Sequence, residues 1–310
     1  MQAKRTNGYV HSFFEALNKY KYLYMLLIPA LAFYILFNYM PMYGVIIAFK
    51  KYTFNGGIWG SPWIGLDNFK KAFNTQQFWI AVGNTLYFSV GRLIFVFPVP
   101  IILALLLNEI RINAYKRVTQ TLLYLPHFVS WIVMAGIISN LTTVNGGLLN
   151  KIIVYFGGQA TSFLMRPEFF RPIVFLSNIM KEMGWSAIIY LAALAGIDPE
   201  LYEAAIVDGA GRWHRFLYIT WPSLLGTISI MLILAMGNLM NGGFDQIFNL
   251  YNQAVFSVAD IIETYVYRQT LLKADFSFGA AVGLFQSAIN CALLLTVNRI
   301  MKLTTGNNLY

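Results

Sequence analysis

Six apolar blocks of bilayer length divide this chain, and that pattern constrains its fold more than any other feature. The blocks run from Tyr22 to about Met42, Phe78 to Leu107, Thr121 to Leu141, Pro172 to Ile197, Leu217 to Met240, and Phe276 to Asn298. A helix crossing the hydrocarbon layer needs about 20 predominantly apolar residues. Only 11% of the 310 residues are charged, against about 25% in a soluble domain, too few to cover a water-exposed surface. The expectation is an all-α membrane protein with about six transmembrane helices.

An even number of spans puts both termini on one side, and Lys4, Arg5, Lys19 and Lys21 place that side in the cytoplasm. The segments 108–120, with Arg111, Lys116 and Arg117, and 198–216, with Arg212 and Arg215, then also face inward, as does the tail with Arg299 and Lys302. The inward excess of basic residues is small. The first apolar stretch is too long for a signal-peptide core and reads as a retained span. The net charge of +9 is scattered over short segments, so the single basic face that nucleic acid requires is missing. Cys291, alone in the chain, permits no intrachain disulfide and reads as a small buried hydrophobe. Pro98 and Pro100 interrupt the second block and predict a kinked helix inside a bundle.

The most informative segment joins the fourth and fifth blocks. Asp198 is a good N-cap, Pro199 suits the first turn, Glu200 complements the helix dipole, and Gly209 is a fitting C-terminal stop. Together they specify a helix of two to three turns at the mouth of the bundle. Ala204 and Ala205 leave a low surface, and Glu203 and Asp208 offer charged handles, a combination suited to docking in a groove on another protein.

Glu203-Ala204-Ala205, Gly209, Ile219 and Pro222, at their spacing, resemble the EAA loop of binding-protein-dependent ABC importer permeases. Average residue usage would produce those six positions by chance with a probability on the order of 10⁻⁴ or less. Asn84-Thr85-Leu86, Tyr124-Leu125-Pro126 and Phe244-Asp245-Gln246-Ile247 are similar to the carbohydrate-importer group. Within it, Asn249-Leu250-Tyr251-Asn252 and Thr264-Tyr265-Val266-Tyr267-Arg268 resemble the LplB-type permeases for oligosaccharides or polysaccharides.

The resemblance implies a MetI-like permease fold in a bacterial cytoplasmic (inner) membrane. It implies a cytoplasmic N-terminus, first span and outward loop over 1–77, a five-helix core over 78–302 with a coupling loop at 198–216, and a cytoplasmic tail at 303–310. The implied partners are a second homologous permease, an ATP-binding cassette ATPase dimer, an extracellular or periplasmic solute-binding protein and a saccharide. Glu203, Ala204, Ala205, Asp208, Gly209 and Pro222 would couple to the ATPase. No phosphate-binding Gly-rich loop occurs in the sequence, so this chain is expected to bind no cofactor, with ATP and Mg held by the partner ATPase.

A sugar path needs amide and carboxyl groups for hydroxyls and aromatic faces for the ring. Asn178, Trp185, Tyr190, Asn238, Asn241, Asp245, Gln286 and Asn290 are the right types on or near the last three blocks. Arg92, Lys181 and Glu182 lie inside apolar blocks, where a central charge costs about 2.5 to 3.5 kcal/mol on insertion scales. They should face a cavity or one another, with Glu182 pairing Arg92. His11, His127 and His214 lie in separate segments and make no metal site. Two other classes stay open on residues alone. One is an ion-driven carrier using Arg92, Lys181 and Glu182 as a relay; the other is a membrane assembly protein with no transport role.

Overall fold

The computed structural model describes residues 19–305. Lys4, Arg5, His11 and the last five residues of the expected 303–310 tail lie outside the described residues. Leaving one-turn pieces aside, the helices are α1 (Lys21–Phe49), α2 (Asp67–Phe73), α3 (Gln76–Asn108), α4 (Asn113–Phe128), α5 (Trp131–Thr142) and α6 (Leu148–Tyr155). They continue as α7 (Pro167–Ala195), α8 (Pro199–Val207), α9 (Arg212–Gly237), α10 (Phe244–Leu250), α11 (Ile262–Tyr267) and α12 (Phe276–Thr305). No β-strand forms among the described residues; an isolated bridge pairs Lys50 with Trp63.

Helices α1, α3, α9 and α12 are each long and apolar enough to cross a membrane, and the α4–α5 pair makes a fifth such segment. The 29-residue α7 carries more charge than these and is the hub of the bundle, packed against α3, α4, α9 and α10. Phe170, Val174, Ala187 and Tyr190 are buried along it. A helix shielded by its neighbours can hold Lys181 and Glu182 away from lipid, which a peripheral span cannot do. The six expected blocks thus correspond to α1, α3, α4–α5, α7, α9 and α12.

The expected third span, Thr121 to Leu141, is an elbow, with α4 and α5 meeting at 101°. Pro126 sits in a tight 3₁₀ turn, Leu125–Phe128, and Val129 is extended. Ser130 then caps α5 by accepting the Val133 N–H at 3.4 Å. The kink in α3 is a π-turn over Arg92–Val96, where the Phe97 N–H reaches back to the Arg92 carbonyl at 2.8 Å. Widening the helix by one residue just before Pro98 accommodates a residue that has no N–H to give. Cys291 is exposed on α12 and not buried, because the face of an outer helix that meets lipid needs no polar cover.

The chain between α9 and α12 is irregular, and α3 fastens it. Asn84 Nδ2 donates to the carbonyls of Ser257 (3.2 Å) and Asp260 (3.0 Å), while its Oδ1 accepts from Arg171 Nη2 at 2.9 Å. Next to it, Thr85 Oγ1 accepts the Ile262 N–H at 2.9 Å. Leaving such buried groups unmet costs about 1 to 3 kcal/mol each. Asn84→Leu, which keeps the volume and removes all three bonds, is expected to lower the temperature at which the detergent-solubilised protein loses its monodisperse chromatography peak. Leu86→Ile, one residue beyond the cluster, should leave that temperature unchanged.

Candidate functional site

Two places bring the expected residues together. The first is a cavity of about 380 Å³ between α3, α7 and the end of α9, lined by Ser89, Arg92, Asn178, Glu182, Tyr190, Asn238 and Asn241 among apolar neighbours. Its size falls in the range of about 300 to 1,000 Å³ usual for small-molecule sites. A smaller space of about 290 Å³ shares Arg92, Asn178 and Asn241 with it and adds Trp131, Asp245 and Gln246.

Arg92 organises this region. Its Nη2 donates to Gln246 Oε1 at 2.9 Å and its Nη1 to the Asn241 carbonyl at 3.4 Å. Gln246 is almost fully buried and is oriented from behind: its Nε2 donates to the Val174 carbonyl at 2.6 Å and to Ser177 Oγ at 2.9 Å. Asn178 Nδ2 reaches the same Oε1 at 3.3 Å. Gly243 leaves the guanidinium its room, since a Cβ there would stand 2.2 Å from Arg92 Nη2 and the backbone φ is +82°.

The expected Arg92–Glu182 pair does not form. Glu182 is taken by His127, whose Nδ1 lies 2.7 Å from Glu182 Oε2, and by Lys181 Nζ at 3.4 Å from Oε1. Lys181 is buried and donates to the His127 carbonyl at 2.5 Å, so it closes the α4–α5 elbow against α7 and does not line the cavity. Trp185 also stays off the cavity wall; it stacks on the His127 ring at 4.5 Å with an interplanar angle of 1°. Gln286 and Asn290 lie outside the lining of both spaces and bond the backbone of Met240. Gln286 Nε2 donates to the Met240 carbonyl at 2.6 Å, and Asn290 Oδ1 accepts the Met240 N–H at 2.8 Å, so both pin the turn after α9. Glu263 holds the same turn by accepting the Gly242 N–H at 2.8 Å. His127, Gln246 and Glu263 were absent from the expected site. Only Gln246 carried a signal, as part of the Phe244-Asp245-Gln246-Ile247 run.

The second place is α8. Asp198 Oδ1 accepts the Glu200 N–H at 3.0 Å, capping its start. At its end Gly209 has φ +78°, its N–H reaching the Ile206 carbonyl at 3.0 Å while Ala210 N–H reaches Ala205 at 2.8 Å. Those two bonds are the Schellman pattern, which needs a left-handed residue at the stop. No residue of α8 is buried. Glu203, Ala204 and Asp208 are exposed, as are the apolar Leu201, Ile206 and Val207, and Ala205 is half-buried. Tyr202 OH lies 2.9 Å from Thr220 Oγ1, tying α8 to α9 two residues before the exposed Pro222.

Residues 96–302 match the family described as binding-protein-dependent transport system inner membrane component. The chain is 46% identical to Protein LplB of Bacillus subtilis (strain 168), over 96% of this chain and 93% of that protein. It is 45% identical to the polygalacturonan/rhamnogalacturonan transport system permease protein YteP of the same organism, over 91% and 88%. Its fold superposes with a TM-score of 0.88 and 37% identity on a chain of a bacterial ABC transporter involved in import of the acidic polysaccharide alginate, covering 95% of this chain and 99% of that one.

Gln246→Leu strips Arg92 and Asn178 of a shared acceptor. A hydrogen bond to a charged group contributes about 1.5 to 3 kcal/mol, so this variant should melt several degrees below the parent. Gln246→Glu retains acceptor oxygens opposite the guanidinium and should stay closer to the parent in the same thermal assay.

Proposed function

Because the chain belongs to the family of binding-protein-dependent transport system inner membrane components, we propose that it forms one half of a channel that imports an oligo- or polysaccharide by alternating access. It is a permease and not an enzyme; in such importers the ATPase is a separate subunit. ATP and Mg are held there, and a second permease of the same kind completes the channel. Both termini lie in the cytoplasm, and a solute-binding protein delivers the saccharide from the opposite side.

The observation that carries this reading is the form of α8. It is a capped, rigid helix with no buried residue, carrying Glu203, Ala204, Ala205 and Asp208, and it is bonded through Tyr202 to the base of α9. A helix that displays Leu201, Ile206 and Val207 to its surroundings has the shape and chemistry to sit in a groove of another protein. The far end of α9 reaches the cavity through Met231, Leu234 and Asn238. Movement of the ATPase dimer would pass through α8 into α9 and so to the cavity walls.

The substrate class rests on the cavity and on the relatives. Arg92, Glu182 and the amides of Asn178, Asn238 and Asn241 offer hydrogen bonds to hydroxyl and carboxylate groups, with Tyr190 beside them. The polysaccharides named for YteP and for the alginate transporter support a saccharide of several units. An ion-driven relay loses its geometry, since Arg92 is engaged with Gln246 while Lys181 and Glu182 are engaged with His127.

Glu203→Lys and Gly209→Pro should each abolish ATP-coupled saccharide uptake in vesicles while leaving membrane insertion and yield intact. ATP-coupled uptake at the parental rate in either variant would overturn the coupling role of α8.

A further inference from the structure

A third cavity, of about 390 Å³, lies where α3 ends and α9 begins; the transport reading uses its Tyr202–Thr220 contact but gives its arginines no role. Its polar wall carries Arg111, Arg212 and Arg215 against a single carboxylate, Glu109. Among the described residues no ion pair or hydrogen bond engages any of the three guanidiniums, and Arg215 Nε is buried without a partner. A guanidinium donates two parallel N–H bonds to a pair of oxygens on one anion, and a phosphate offers oxygens to several arginines at once.

The other wall is apolar. Leu106 and Trp213 line it at 63% and 66% exposure, and Phe216 packs on Trp213 with ring centroids 5.3 Å apart. Ile102, one turn before Leu106 on the same face of α3, is also exposed. The cavity therefore joins two surfaces, exposed apolar side chains on one side and cations without a bonded partner at the ends of two spans on the other. An indole at that level is the usual headgroup anchor. We propose that this cavity binds the phosphate headgroup of an anionic phospholipid, with the acyl chains lying along Leu106 and Ile102.

An acidic loop of the ATPase would satisfy the charges but would have no use for the apolar wall. The exposed docking surface of α8, Leu201, Ile206 and Val207, is also separate from the cavity lining. Tyr202 does line the cavity, and it bonds Thr220, another lining residue. A bound lipid would thus touch α3, α8 and α9 together and act as a strut at the joint through which α8 moves α9. Placing it in the inner leaflet rests on the orientation proposed above; the binding itself does not.

The test is native mass spectrometry of the importer purified as an assembled complex and exchanged into discs of phosphatidylcholine with phosphatidylglycerol. The parent should retain phosphatidylglycerol in preference to phosphatidylcholine. Each basic group near an anionic surface contributes about fivefold in affinity, so the double substitution Arg111→Gln, Arg215→Gln should weaken retention by roughly twenty-five-fold. Arg111→Lys with Arg215→Lys should recover most of it, which separates loss of charge from misfolding. Lys116→Gln, a basic residue of α4 outside the cavity, should change nothing. Equal retention by the parent and the glutamine variant would overturn the proposal. So would undiminished lipid retention accompanied by loss of the ATPase from the glutamine variant, which would assign the arginines to that partner.

Discussion

A guanidinium enclosed among helices has to be met by oxygen atoms, and Arg92 is met by the side chain of Gln246 and the backbone of Asn241. Asn241 lies in the irregular turn after α9 and Gln246 on the short helix α10, so this contact fastens both onto α3. Gln246 is in turn set by Val174 and Ser177 of α7, and the preceding turn is held from α12 by Gln286 and Asn290. Irregular backbone at membrane depth persists only where protein or a water-lined cavity satisfies its polar groups. Arg92 both satisfies that backbone and borders the cavity, and Gln246 borders the smaller space beside it, so at these two residues the polar lining and the packing of the bundle cannot be separated.

That dependence explains which parts of the molecule were legible from the chain alone. The spans and the short helix α8 rest on local rules: runs of apolar residues, Asp198 as a cap, Gly209 as a stop. Local rules need no knowledge of neighbours, and α8 keeps its predicted beginning and end. Arg92 and Glu182 were paired because they were opposite charges at similar depth. Helix rotation decides such contacts, however, and the π-turn at Arg92–Val96 shifts that rotation by an amount that sequence spacing does not reveal. The 101° elbow at Pro126 brings His127 to Glu182 instead. Gln286 and Asn290 have residue types suited to a sugar, and an amide also suits a broken turn; the position of Met240, which sequence does not reveal, gives them that second use.

The buried charges follow one pattern. Lys181, Glu182 and His127 satisfy one another at the elbow, and Asp260 meets Arg268 at 2.8 Å with Thr264 donating to the same oxygen at 2.7 Å. Breaking such a pair costs more than forming it returns, because the remaining charge is stranded. These clusters therefore act as registration points that fix where irregular segments sit. Arg92 differs in that its direct partners are neutral amides. A guanidinium held by neutral acceptors beside open space retains charge with which to attract a carboxylate or hydroxyl entering the cavity.

The two ends of α9 connect this chemistry to the proposed motor. From Thr220, bonded to Tyr202 of α8, to Asn238 at the cavity, the helix and its last turn run roughly 27 Å at 1.5 Å per residue. A tilt of about 10° at the base would carry the far end about 5 Å, by simple lever geometry. A compact cavity of 380 Å³ is about 9 Å across, so that displacement is about half of the whole opening. Small rigid movement at α8 is therefore sufficient in scale. The Schellman stop at Gly209 and the Tyr202–Thr220 bond matter because slack at either joint would absorb the motion before it reached Asn238.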